Sequence, residues 1–121
     1  MKQKTYHIQG YTQEKISSAA DEISGLREYA ESAQILILLL EQCWDAEKIA
    51  ETTALLQKKL PKAEIVGVNH FDTFDINEMA NENVVITVMF FEHPAFSVER
   101  VEMSGMTDTQ AGKALNAALC R

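Results

Sequence analysis

Two stretches of this chain are apolar almost without interruption, and three others repeat their apolar residues at helical spacing. Ile35-Leu36-Ile37-Leu38-Leu39-Leu40 is the first continuous run and Val84 to Phe91 the second. A strand with one wet face would alternate, so each run predicts a buried strand covered on both faces. Between them, Ile49, Thr53, Leu56 and Leu60 step by four, three and four, which predicts a helix that Asp45 caps and Pro61 stops. Glu64 to Val68 then reads as a short strand, so Ile35–Leu40 and Ile65–Val68 are expected to be adjacent and parallel, joined by a right-handed crossover.

The flanks follow the same logic. Lys4 to Ile8 predicts a short first strand. Ile16, Ala19, Ala20, Ile23, Leu26 and Ala30 share one helix face, with Thr12 as N-cap. Asn69 to Asn83 is rich in Asn, Asp and Glu and reads as a loop. After the His93-Pro94 turn, Phe96 and Val98 face one way while Val101 and Met103 break the parity, so a further strand bulged near Glu99 is expected. Thr107-Asp108-Thr109-Gln110 is a capping box opening a helix with Ala111, Ala114, Leu115, Ala118 and Leu119 on one face. The expected order is β-α-β-α-β-β-β-α. That is one α/β domain: a layered mixed sheet of about five strands with a parallel strand-helix-strand unit and about three helices.

Composition narrows the function. The chain has 121 residues, 46% hydrophobic and 24% charged, which excludes a disordered polymer. Eleven basic against eighteen acidic residues give a net charge of −7, and no basic cluster offsets it. Nucleic acid and anionic membrane are therefore disfavoured as partners. Cys43 and Cys120 show no paired spacing and read as free thiols of a reducing cytoplasm. The apolar runs fall short of the roughly 20 residues that span a bilayer, and MKQKTYHIQG carries no signal-peptide core. A cytoplasmic setting is the expectation.

In an open α/β sheet, ligands sit outside the carboxyl ends of the parallel strands. That rule selects Glu41-Gln42-Cys43-Trp44-Asp45 and Asn69-His70-Phe71-Asp72-Thr73. Cys43, Trp44, Asn69 and His70 are the candidate ligand-binding residues. Trp44 offers an apolar wall and Asn69 a paired donor and acceptor, and the start of the helix after Asp45 favours a carboxylate. Glu41, Asp45 and Asp72 favour an ammonium group instead. An amino acid carries both groups and is the preferred ligand class. A nucleophile pair of Cys43 and His70 lacks a recognisable orienting group or oxyanion donors. A metal site from His70, Asp72, His93 and Cys43 matches no familiar ligand spacing. No glycine-rich phosphate loop, nucleophile elbow, HExxH or calcium loop is present. No catalytic residue, resident cofactor or metal is expected.

Ala33 to Leu40, the helix after it, and Leu60-Pro61-Lys62-Ala63-Glu64-Ile65-Val66-Gly67 together resemble the FIST sensory domain of bacterial signalling proteins. Val84 to Phe91, Phe96-Ser97-Val98 and the final helix with Ala111-Gly112-x-Ala114-Leu115 keep the family's order. The resemblance runs from about Thr12 to Cys120. It departs after Gly67, where the family continues with Cys-Ser-x-x-Gly and this chain has Val68-Asn69-His70-Phe71-Asp72. The family's region is also longer, so residues 1–121 correspond to a single FIST-like sensory domain or the first half of one. The resemblance implies a non-enzymatic input module, N-terminal to an output domain such as a diguanylate cyclase, binding a small molecule. Some members of the family bind haem, so a haem-binding sensor or small enzyme using Cys43, His70 or His93 is one alternative reading, and a ligand-free dimerisation or scaffold module is another. An open sheet edge and apolar surface left by a missing half predict a homodimer, through an edge strand or the last helix.

Overall fold

The computed structural model describes residues 1–10, 12–41, 46–69 and 83–120. It is a mixed α/β fold with four strands and four helices among those residues. The strands are β1 (Lys2–Gln9), β2 (Gln34–Glu41), β3 (Ala63–Asn69) and β4 (Asn83–Phe91). The helices are α1 (Gln13–Ser24), α2 (Arg27–Glu31), α3 (Ala46–Lys59) and α4 (Asp108–Leu119). The sheet order is β1-β4-β2-β3. β2 and β3 are parallel, joined by α3 as the spacing predicts, while β4 is antiparallel to both β1 and β2.

The register lays side chains in transverse rows. One face carries Lys2–Phe90–Ile35–Ala63, then Lys4–Val88–Ile37–Ile65, Tyr6–Ile86–Leu39–Gly67 and Ile8–Val84–Glu41. The middle of these rows is fully buried beneath Ile16, Ala19, Ala20 and Ile23 of α1 and Leu56 of α3, with Leu60 just after it. That is the core. The opposite face carries Gln3–Met89–Leu36–Glu64, Thr5–Thr87–Leu38–Val66 and His7–Val85–Leu40–Val68. It is open where those rows reach β2 and β3: Leu38 is 37% exposed, Leu40 44% and Val68 52%. The expectation that Ile35–Leu40 is covered on both sides is thus corrected. The run is apolar throughout, but among the described residues only its Ile35, Ile37 and Leu39 side is fully buried, while Leu36 is half-buried and Leu38 and Leu40 are exposed.

Local chemistry explains the element ends. Thr12 accepts from the Lys15 N–H and caps α1. The single expected helix from Ile16 to Ala30 is two, because Gly25 ends α1 and Leu26 is extended; α2 begins afresh at Arg27. Leu26 still packs on the core, while Ala30 is exposed. α3 ends at Lys59, ahead of Pro61; its expected cap, Asp45, lies outside the described residues. Thr107 and Gln110 close the expected capping box reciprocally, at 3.2 and 3.0 Å.

The expected fifth strand is absent: residues 94–103 are irregular. β4 and β3 already occupy both sides of β2, so this segment has no ladder to join there. The Gln34 side chain takes its place. Its Oε1 accepts from the Ala95 and Phe96 N–H groups at 2.6 and 3.1 Å, and its Nε2 donates to the Phe96 carbonyl at 2.9 Å. The Phe96 ring packs at 5.1 Å from that of Phe91. No helix among the described residues is long and apolar enough to cross a membrane.

The asymmetry of the sheet sets unequal costs. Leu39→Ala is expected to destabilise the fold by about 2–5 kcal/mol, the range for a buried leucine truncated without collapse of its site. Leu38→Ala, one residue away, is expected to cost less than about 1.5 kcal/mol because its side chain already meets water. Urea denaturation of both variants against wild type checks the difference. Equal losses would place cover on the open face.

Candidate functional site

The parallel pairing does what the ligand rule requires of it. Glu41 and Asn69 close β2 and β3 as direct partners, so the chain leaves both strands at one corner of the sheet. Of the four predicted binding residues, only the backbone of Asn69 is described; Cys43, Trp44 and His70 lie outside the described residues. The structure therefore brings together the points from which the two predicted segments depart. Glu41 is 1% exposed and is engaged by other groups. A carboxylate so far from water requires partners to remain charged.

The same end of the sheet holds a feature the sequence did not single out. A cavity of about 240 Å³ is lined by His7, Ile8, Gln9, Leu40, Asn83, Val84 and Val85. Strand alternation sorts this lining. His7, Gln9, Asn83, Val85 and Leu40 point to the open face, whereas Ile8 and Val84 send their side chains into the core and meet the cavity with backbone. The result is an imidazole and two carboxamides over an apolar floor. Among the described residues, no Lys, Arg, Asp or Glu lines it. His7 and Gln9 were invisible as a site because their partners Val85 and Asn83 are more than seventy residues away in sequence. Period-two alternation marks them as neighbours on one face of β1, and nothing local says what faces them.

The end of β1 is fixed from the helix side. Lys15 Nζ donates to the Gln9 carbonyl at 2.6 Å, tying the strand to the first turn of α1. Gly10 makes that return possible with φ 84°, a left-handed backbone that other residues adopt at a cost. Further along β1, the Lys4 ammonium lies over the Tyr6 ring, 5.3 Å from its centroid, and 3.4 Å from Glu22 Oε1. Tyr6 first and Glu22 second raise the Lys4 pKa above its ordinary value. The buried Tyr6 Oη has no hydrogen-bond partner among the described residues.

Other candidate chemistry is sparse. Cys120 is a free, exposed thiol at the end of α4. Among the described residues no group of three His, Cys, Asp or Glu side chains is arranged to hold a metal ion. His93 is exposed on the turn after β4. No family model matches the chain, and no curated protein matches it.

The turn that aligns the cavity's β1 wall has a direct test. Gly10→Ala forces a side chain into the left-handed region, and the expected loss is about 1–2 kcal/mol by urea denaturation. The nearest atom to the new Cβ is Lys15 Nζ at 3.7 Å, an ordinary contact, so the loss would report backbone strain and not a clash.

Proposed function

We propose that the chain is a non-enzymatic sensory module of the FIST type. It binds a small molecule, with an amino acid the preferred class, and works in the cytoplasm beside an output domain such as a diguanylate cyclase. The observation that carries this reading is the cavity at the end of the sheet where the parallel strands also end, lined from β1, β4 and Leu40 of β2. Its volume lies below the roughly 300–1,000 Å³ of drug-sized sites, which suits a compact metabolite. Its lining offers donors and acceptors from Gln9, Asn83 and His7 beside the apolar Leu40 and Val85, and no fixed side-chain charge from the described residues. A zwitterion asks for that combination: hydrogen bonds at both ends and an apolar surface for its side chain.

The sensory step follows from linkage. A ligand that binds one arrangement of the corner better than another shifts the balance between them. The segments leaving Glu41 and Asn69 are placed to respond, since each begins within one strand spacing of the other. Cys43, Trp44, Asn69 and His70 belong to the proposed binding surface on this reading.

Thermal and chemical denaturation across the free amino acids and small organic acids tests the proposal. A ligand present at about 100 times its Kd is expected to stabilise the fold by about 2.7 kcal/mol. Isotope-labelled titration is then expected to move the amide signals of His7, Gln9, Leu40 and Asn83, with those of Cys43, Trp44, Asn69 and His70. A ligand that perturbs only residues 96–102 or α4 would refute the site. A Soret band retained on haem addition and lost with His93→Ala or His70→Ala would favour the haem sensor instead.

A further inference from the structure

Resting on the amino-acid reading of the cavity, we infer that it selects a free amino acid whose side chain ends in a carboxamide, L-glutamine above all, and that Gln9 and Asn83 are the residues that read it. Gln9 and Asn83 are direct partners in the β1–β4 ladder and both line the cavity. Partners on one face of an antiparallel pair start about 4.5–5.5 Å apart, so the two carboxamides stand side by side. Each offers an NH2 group that donates and a carbonyl oxygen that accepts. A bond between the two uses one donor and one acceptor and leaves the remainder of both groups to be met.

The group that meets such a pair must donate and accept at once, from two atoms, without charge. A carboxylate only accepts, so it would set its negative oxygens against two carbonyl oxygens. An ammonium only donates, and would face two NH2 groups. Among the described residues no Lys, Arg, Asp or Glu lines the cavity to offset either charge. A hydroxyl acts through a single atom and does not span both partners. A primary amide carries a donor and an acceptor on adjacent atoms and is neutral.

The rest of the lining suits the rest of glutamine. Val85 and Leu40 are direct partners across β4 and β2, and together they floor the cavity with apolar surface. The two methylenes of glutamine cover most of the roughly 4.8 Å between those strands. Asparagine, one methylene shorter, covers less of it. At the far end of the ligand, Leu40 and His7 are exposed. The α-ammonium and α-carboxylate therefore keep contact with water there, with the His7 ring nitrogens in reach, and require no opposite charge from the wall.

Calorimetric titration of the whole chain with L-glutamine, L-glutamate and L-methionine is the test. The three side chains are similar in length and end in an amide, a charge and an apolar group. Glutamine is expected to bind at least tenfold more tightly than either of the others. Gln9→Glu and Asn83→Asp keep the shape of each side chain and remove its donor, and each is expected to weaken glutamine binding about tenfold or more, the consequence of leaving a polar group unmatched. Circular dichroism confirms that both variants are folded. In wild type, glutamine is expected to move the side-chain NH2 signals of Gln9 and Asn83, a readout that needs no substitution. Glutamate or methionine bound as tightly as glutamine overturns the inference and leaves the cavity an amino-acid site. So does glutamine binding that survives both substitutions or leaves those NH2 signals still. Failure of every free amino acid to bind overturns the amino-acid reading and the inference with it.

Discussion

The fold depends on β4 lying between β1 and β2. Among the described residues β1 pairs with nothing else, and the parallel unit of β2, α3 and β3 would otherwise expose Ile35, Ile37 and Leu39 along an open side. With β4 in place, Val84, Ile86, Val88 and Phe90 complete four core rows, and the helical layer of α1 and α3 has a continuous apolar floor to cover. Each of those rows draws on both ends of the sequence. Long separations between partners cost loop entropy before the contacts form, so this placement makes the sheet slower to assemble than its modest size suggests.

A sheet packed on one side divides its labour. The covered face holds the structure together and tolerates little change. Among the described residues the other face contributes nothing to the core cluster, and its side chains grade from polar on β1 through half-buried on β4 to the exposed Leu38, Leu40 and Val68 on β2 and β3. The cavity lies across the polar part of that gradient, and the exposed Leu38, Leu40 and Val68 lie at its apolar part. Polar and apolar surface are thus held in fixed relation by four hydrogen-bonded strands.

Much of the fold was legible because local signals were strong. The Thr12 and Thr107 caps, the Pro61 stop and the parallel pairing of Ile35–Leu40 with Ile65–Val68 are all written in residues close to where they act. What was misread depended on distant partners. The run Ile35–Leu40 looks buried on both sides because leucine at 38 and 40 is what a covered face would carry; exposure is decided by whether a second layer exists. Phe96 to Met103 looks like a strand because its residues suit one, yet the ladder positions beside β2 are taken. The parallel-strand rule pointed to the corner where β2 and β3 end, whereas the cavity lining of His7, Gln9 and Asn83 required the β1–β4 register, which joins residues more than seventy positions apart.

That register also bears on how the chain emerges during synthesis. β1 leaves the ribosome before β4 and is paired only once β4 follows it, and at ordinary elongation rates of about 5–20 residues per second that interval lasts for seconds. Through it the strand carries Lys2 and Lys4, and charged side chains make a strand a poor template for pairing. The two lysines that mark the edge of the finished sheet therefore also lower the chance that the waiting strand joins a wrong neighbour.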